Sequence, residues 1–421
     1  MNTPRWHAAA PAPIPDFRRF WVGETVSFLG SEVTSLALPL TAVLVLHATP
    51  AQMGLLTTSR TVPFLVFGLM AGVWVDRLRR RPILIASDLG RAVLLGSIPV
   101  AAALGVLGMP QLYGVAFLVG GIGVVSMVAY QSFIPTLVPR GELVRANSRL
   151  EASSSVASIV GPGIAGLLVQ WLTAPIAILV DGLSFVASAG FLAAIRIPEA
   201  PPAEDRRAES NRQLIAEGLR LVRDNPVLRS IVSCGTFHNF FSRMMDALYV
   251  LYLVQVLGLS AGRIGAVAAM GGVGALLGSL VAAPAARRLG IGPACVWAQV
   301  LTGVARLCVP LAQGPPLVTL GVLALGEFLL GAARPIFNVN QVSLRLTITP
   351  DHQHGRVNAT MRFIMWSVTP FGAALGGVLA SVIGLRTTLF VAAVGVLLAF
   401  LAAWLSPLRH LDRVPSHGDR R

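Results

Sequence analysis

Twelve stretches of about 20 mainly apolar residues, each the length of one membrane span, run through this chain. They are centred near Ser35, Phe64, Leu94, Phe117, Val160, Phe185, Leu248, Leu276, Val304, Leu325, Gly372 and Val396. Lipid offers backbone N–H and C=O groups no water to bond, so a crossing segment must be helical or buried in protein. Hydrophobic residues make up 54% of the 421 and charged residues only 12%, far from the balance of a water-soluble domain. The chain is therefore expected to be an all-α membrane protein with twelve transmembrane helices, six in each half.

The halves are related. Residues 139–168 recur, in register, 211 positions later. Pro139 matches Pro350, Arg145-Ala146-Asn147 matches Arg356-Val357-Asn358, Gly161 matches Gly372 and Gly166 matches Gly377. Six spans per half is an even number, so both halves enter the membrane in one orientation, as a parallel repeat about the membrane normal. Two pseudo-symmetric six-helix bundles follow, with a substrate site expected between them near mid-membrane.

A formal charge of +14 would suggest nucleic acid in a soluble protein, but here the charges follow the membrane. With Arg18 and Arg19 in the cytoplasm, the internal loops collect Arg77, Arg79, Arg80, Arg81, Arg140, Arg145, the run from Arg196 to Arg229, Arg287, Arg288 and Arg409. The external loops keep Arg263 and Arg386. This is the positive-inside pattern of a cytoplasmic-membrane protein with both termini inside. Nucleic-acid binding is not expected, because the arginines are spread among loops. Cys234, Cys295 and Cys308 fall in apolar spans and read as packing residues. The first apolar stretch is too long for a signal core and is expected to remain as the first helix.

The expected divisions are a proline-rich tail at 1–16, a six-helix bundle at 17–196, a cytoplasmic linker at 197–226, a second bundle at 227–408 and a tail at 409–421. Within the linker, Leu214, Ile215, Gly218, Leu219 and Val222 fall at helical spacing, as in an amphipathic helix on the inner leaflet. No nucleotide loop, metal-ligand cluster or nucleophile with a base at workable spacing occurs, so no enzyme activity, cofactor or metal is expected.

The loop Gly72-Val73-Trp74-Val75-Asp76-Arg77-Leu78-Arg79-Arg80-Arg81 joins the second and third spans. It resembles the signature loop of the major facilitator superfamily, Gly-x-Leu-Ala-Asp-Arg-x-Gly-Arg-Arg/Lys. Gly72, Asp76, Arg77, Arg80 and Arg81 match, and Arg79 replaces the second glycine. The resemblance implies that Asp76 caps or pairs with elements of the opposite half, as an interdomain latch. Gly161-Pro162-Gly163 with Ala165-Gly166 resembles the superfamily's antiporter motif in the fifth span, which implies a bend that seals the domain interface. Ser27-Phe28-Leu29-Gly30-Ser31-Glu32 and Gln131-Ser132-Phe133-Ile134-Pro135 are similar to the bacterial branch of enterobactin exporters, macrolide efflux pumps and lysophospholipid flippases. The fourth span lacks the arginine of many drug/proton antiporters.

An ionisable side chain inside a membrane is costly, by roughly 2.5–3.5 kcal/mol on insertion scales, and is a functional hypothesis by default. Glu32, Asp246 and Glu327 are the proton-coupling candidates. Asn239, Arg243 and Asp246 share one face of the seventh span, beside His238; Glu327, Gly331, Arg334 and Asn338 share one face of the tenth. Family architecture implies that spans one, four, seven and ten line the cavity. Ser31, Gln131, His238, Asn239, Arg243, Arg334 and Asn338 are then cavity candidates, with Phe237, Phe240, Phe241, Tyr249 and Phe337 as apolar lining. The alternative for each acid is a fixed ion pair, with Arg306, Arg91 and Arg60 as available partners. Asp88 reads as structural and Asp181 as a packing or gating residue.

Together these features predict a secondary transporter that exports an amphipathic small molecule (drug, siderophore or secondary metabolite) by alternating access with proton antiport. Its partners are then a small-molecule substrate, protons and the bilayer, and it is expected to act as a monomer. A lysophospholipid flippase without proton coupling and a non-transporting receptor are the alternatives.

Overall fold

The computed structural model describes residues 14–68, 70–199, 219–349 and 353–405. Residues 1–13 of the expected tail at 1–16, most of the amphipathic linker helix and the tail at 409–421 lie outside the described residues. Ile14, Pro15 and Asp16 begin the first helix instead of ending a tail.

The first half is built from α1 (Ile14–Leu44), α2 (Pro50–Phe67), α3 (Met70–Arg77), α4 (Arg80–Ala103), α5 (Met109–Leu137), α6 (Leu143–Leu172) and α7 (Ala174–Ala193). The second holds α8 (Pro226–Gln255), α9 (Ala261–Leu289), α10 (Ile291–Leu311), α11 (Pro316–Ile348), α12 (His354–Ser367), α13 (Thr369–Ile383) and α14 (Leu385–Trp404). Prolines start many of them, where a missing N–H costs nothing. Thr49 and Gln52 form a reciprocal capping box ahead of α2, and Asn225 accepts from the Val227 and Leu228 N–H groups ahead of α8.

The 211-residue offset seen in one stretch of sequence governs the whole fold. The starts of α2 and α9, α4 and α10, α6 and α12, and α7 and α14 all differ by it, as do the ends of α1 and α8, α5 and α11, and α7 and α14. Within each half the packing is the same: α1 lies against α6 and α7 as α8 lies against α13 and α14, and α2 against α5 as α9 against α11. Even the backbone reversals recur. His47 (φ 49°) matches Gly258 (φ 63°), and Thr173 (φ 100°) matches Gly384 (φ 85°).

Ten helical segments among the described residues are long and apolar enough to cross a membrane. The other two of the twelve are α2, which stops at Phe67 and is followed by the short α3, and α8, whose Arg229, Arg243 and Asp246 dilute its apolar character.

The face where α7 ends and α8 begins is the linker face; the opposite face is the far face. On the linker face, Asp16 Oδ2 accepts from the N–H groups of Arg196 and Ile197, both at 3.1 Å, while its Oδ1 pairs with Arg19 at 2.7 Å. These bonds tie the start of α1 to the end of α7.

The two largest interfaces between the halves are α2 on α13 and α6 on α9, again related by the offset. Each is closed by a pair of glycines. A Cβ on Gly54 would lie 2.7 Å from Gly377 Cα and 2.8 Å from the Ala373 carbonyl oxygen; one on Gly265 would lie 2.9 Å from Gly166 Cα and 2.5 Å from the Pro162 carbonyl oxygen. Only hydrogen fits, and the backbones meet. These pairs sit near the starts of α2 and α9 and in the second halves of α6 and α13, and Gly272 against Ile159 carries the α6–α9 contact on to mid-helix, so the halves meet from the far face to the middle of the bundle. Towards the linker face α6 leaves Glu151, Ala152, Ser155 and Val156 exposed.

Candidate functional site

Beneath the glycine contacts lies a cavity of about 760 Å³, walled by both halves. α1 supplies Glu32, α2 Arg60 and Phe64, α5 Met127, α8 Arg243, Asp246 and Tyr249, α10 Arg306, α11 Glu327 and Arg334, and α12 Arg362 and Trp366. The four spans implied by the resemblance, α1, α5, α8 and α11, all contribute. So do α2, α10 and α12, which bring Arg60, Phe64, Arg306, Arg362 and Trp366.

The phase of each helix decides which stripe reaches the cavity. All three acids do. Asp246 is held by two arginines: Arg306 Nη2 lies 2.8 Å from Oδ1, and Arg243 Nη1 lies 3.5 Å from Oδ2. Arg306 is buried, so its charge depends on this carboxylate for compensation. Glu32 and Glu327 make no ion pair within 4 Å among the described residues. Arg60 and Arg334 nevertheless act electrostatically on Glu32 from opposite halves.

Of the cavity candidates, Arg243 and Arg334 line the space. His238 and Asn239 do not; they hold helices together. Asn239 donates to the Met365 carbonyl at 2.8 Å, joining α8 to α12. His238 Nδ1 lies 2.9 Å from Gln299 Nε2, which also reaches the Val396 carbonyl at 3.3 Å. Polar side chains inside a bilayer serve as interhelical bonds as readily as ligand contacts, and residue type alone does not tell the two apart. Ser31, Gln131 and Asn338 are exposed but lie outside the lining. Of the expected aromatic lining only Tyr249 takes part. Phe240 and Phe241 stack edge to face at 5.2 Å, and Phe237 is exposed.

The aromatic wall comes instead from Phe64 and Trp366, with ring centroids 5.5 Å apart across the two halves. Arg362 lies 5.9 Å from the first ring and 5.8 Å from the second, with Nη2 2.7 Å from Met127 Sδ. Sequence reasoning missed Arg362, although a lone arginine in an apolar span is the signal that singled out the acids.

Asp88 pairs with Arg91 at 3.2 Å, and Arg91 also donates to Ser126 at 2.7 Å, away from the cavity. Asp181 is buried and accepts from Ser184 at 3.2 Å. In the signature loop, Gly72, Asp76 and Arg77 belong to α3; the Asp76 side chain lies outside the described residues. Arg81 donates to the Leu192 and Ala193 carbonyls at 2.9 and 2.6 Å, and Glu199 accepts from the Arg80 and Arg81 N–H groups. These contacts stay within one half. Gly161 packs on Glu32 of α1, and Gly166 on Gly265 of α9. α6 continues through Pro162, whereas its counterpart breaks between α12 and α13.

The sequence profile of the Major Facilitator Superfamily matches residues 20–260 and 232–420. The multidrug efflux pump Tap of Mycolicibacterium fortuitum is 29% identical over 394 residues, covering 91% of this chain and 94% of the relative. The Mycobacterium tuberculosis pump of the same name is 30% identical over 410 residues, covering 92% of each. Macrolide efflux protein A of Streptococcus pyogenes is 26% identical over 56% of this chain and 58% of its own length. Among solved structures, a bacterial homologue of the human lysosomal transporter Spinster superposes with a TM-score of 0.70 at 14% identity, over 96% of this chain and 99% of that one. The twelve-span fold, its internal repeat and these matches agree, and the chain belongs to the major facilitator superfamily of membrane transporters.

Proposed function

We propose that this transporter exports an amphipathic small molecule from the cell by alternating access, with protons as the counter-ion. One observation carries the reading: a charged cavity shared by both halves lies against glycine contacts that run from the far face to mid-helix, while α6 is left exposed towards the linker face. Rocking the halves about that cavity exchanges the closed face for the other without dismantling either bundle. The distribution of arginines makes the linker face cytoplasmic, so the far face is external. Efflux as the direction follows the pumps it is similar to.

Glu32 and Glu327 are the proton carriers in this reading, because Asp246 is committed to Arg306 and Arg243. A proton moving inward yields about 2.3 kcal/mol per 100 mV, to which the pH gradient adds. The test is accumulation of fluorescent drugs in inside-out vesicles, with and without an imposed pH gradient. Gradient-driven accumulation in the wild type, lost in Glu32→Gln or Glu327→Gln while substrate exchange persists, supports the coupling. Gradient-driven accumulation unchanged in both variants refutes it.

A further inference from the structure

The balance of charge in the cavity has a consequence for what it carries. Five arginines line it, Arg60, Arg243, Arg306, Arg334 and Arg362, against three carboxylates, a formal excess of two positive charges. Asp246 occupies Arg306 and Arg243, leaving Arg60, Arg334 and Arg362 to face Glu32 and Glu327. None of these three arginines has a carboxylate within 4 Å among the described residues. The nearest acceptor given to Arg362 is a thioether, a weak acceptor for a strong donor. Arg60 and Arg334 are exposed to the space rather than packed away.

An arginine left without an anion at membrane depth is costly, and the ligand that removes the cost is one that brings an anion. A guanidinium offers a planar fork of donors that matches the two oxygens of a carboxylate or phosphate. Phe64 and Trp366 set an apolar, aromatic surface beside Arg362, so the same site accepts a flat hydrophobic body next to the charge. The volume suits a drug-sized molecule, within the range of about 300–1,000 Å³ of small-molecule pockets.

We infer that the cargo is an amphipathic organic anion, its acidic group held by Arg60, Arg334 and Arg362 and its apolar body against Phe64 and Trp366. This rests on the reading of the cavity as the cargo site. An anion leaving an inside-negative cell moves with the membrane potential, so cargo charge and proton entry both draw on it.

The test measures binding, which does not require transport. The full chain in neutral nanodiscs is titrated with 1-pyrenebutyrate, 1-pyrenebutanol and 1-pyrenebutyl-trimethylammonium, which share a body and differ in charge, read by energy transfer from tryptophan. The butyrate is expected to bind at least tenfold more tightly than the alcohol, and the cation most weakly. Arg60→Gln, Arg334→Gln and Arg362→Gln are each expected to cut that preference severalfold while leaving the alcohol unchanged, which also shows that the fold survives. Lysophosphatidylglycerol that displaces the butyrate where lysophosphatidylcholine does not assigns the anion to a lipid headgroup; no displacement assigns it to a free organic acid. Equal or tighter binding of the cation, no saturable binding of the butyrate, or a preference that survives all three substitutions overturns the inference. A protein that binds anions selectively but accumulates nothing would instead count against the export reading.

Discussion

Replacing Gly54 and Gly265 with alanine isolates the closed contact from everything else in the molecule. The Cβ introduced by Gly54→Ala would meet Gly377 Cα at 2.7 Å, and that introduced by Gly265→Ala would meet the Pro162 carbonyl oxygen at 2.5 Å, each short of the 3.4 Å at which ordinary contact begins. The obstacles are backbone atoms, so no side chain can swing aside. The helices must part by several tenths of an ångström, and overpacking of this kind costs about 1–3 kcal/mol. Only the state in which these helices touch bears that cost, so the equilibrium moves towards the other state by about 5- to 150-fold. The two sites share no partners and should add. Nitroxide labels on Val45→Cys and Val256→Cys, exposed and equivalent positions at the far face, report the separation of the halves in a background with the three native cysteines replaced. Each variant should convert short-distance population into long, and the double variant more than either. Gly96→Ala, whose Cβ meets nothing within 4 Å, should leave the distribution alone. Identical distributions in wild type and double variant would refute the glycine contact as the closing element.

Three further outcomes follow from local contacts. Asp246→Asn leaves the buried Arg306 without its carboxylate, a loss of about 3–5 kcal/mol for a broken buried pair, and the added Arg306→Met should recover much of the lost thermal stability. Glu199→Ala removes the acceptor from the first N–H groups of α4, which costs about 0.5–2 kcal/mol as for other helix caps; hydrogen exchange at Arg80 and Arg81 should quicken accordingly, while α10 is unaffected. Thr173 has φ 100° and ψ 155°, a region that suits glycine, and Gly384 stands at the equivalent position with nearly the same angles. Thr173→Gly should therefore raise the melting temperature, by the order of 1 kcal/mol of relieved strain, and Gly384→Ala should lower it.

What the sequence made legible was whatever depends on one helix at a time. Apolar length gave the spans, and the Pro139–Leu168 stretch gave the offset that holds for most of the helix boundaries. Glu32, Asp246 and Glu327 could be picked out because charge in lipid is costly wherever the side chain points. What could not be read was rotation. Asn239 and Asp246 lie on one stripe of α8, yet Asn239 reaches a carbonyl of α12 and Asp246 reaches Arg306 of α10, because α8 is enclosed by several neighbours. The choice among Arg60, Arg243 and Arg306 as partner for an acid likewise depends on distances between helices distant in sequence. Arg362 was missed for a different reason: it lies beside Met361 and Phe363, and a basic group near the expected end of a span reads as topology until the wall of the cavity is in view.

The repeat also separates what moves from what is carried. Gly54 and Gly265 are equivalents, as are Gly166 and Gly377, so the elements that close the two halves are duplicated residue for residue. The cavity is not. At the same offset Glu32 answers to Arg243, Arg60 to Gly271, Ser35 to Asp246, Ala116 to Glu327, Gly123 to Arg334 and Glu151 to Arg362. The presence of Gly271 where the first half has an arginine leaves room beside Glu327, whose Oε2 would lie 3.4 Å from a Cβ placed there. Rocking needs matching surfaces on both sides of the axis, and a mismatch there would bias one state over the other. A cargo with a charged end and an apolar end has no such symmetry, so a site that orients it must break the repeat. The distribution of glycine and charge fits both demands at once: pseudo-symmetric backbone contacts around a lining in which none of these charges meets its like.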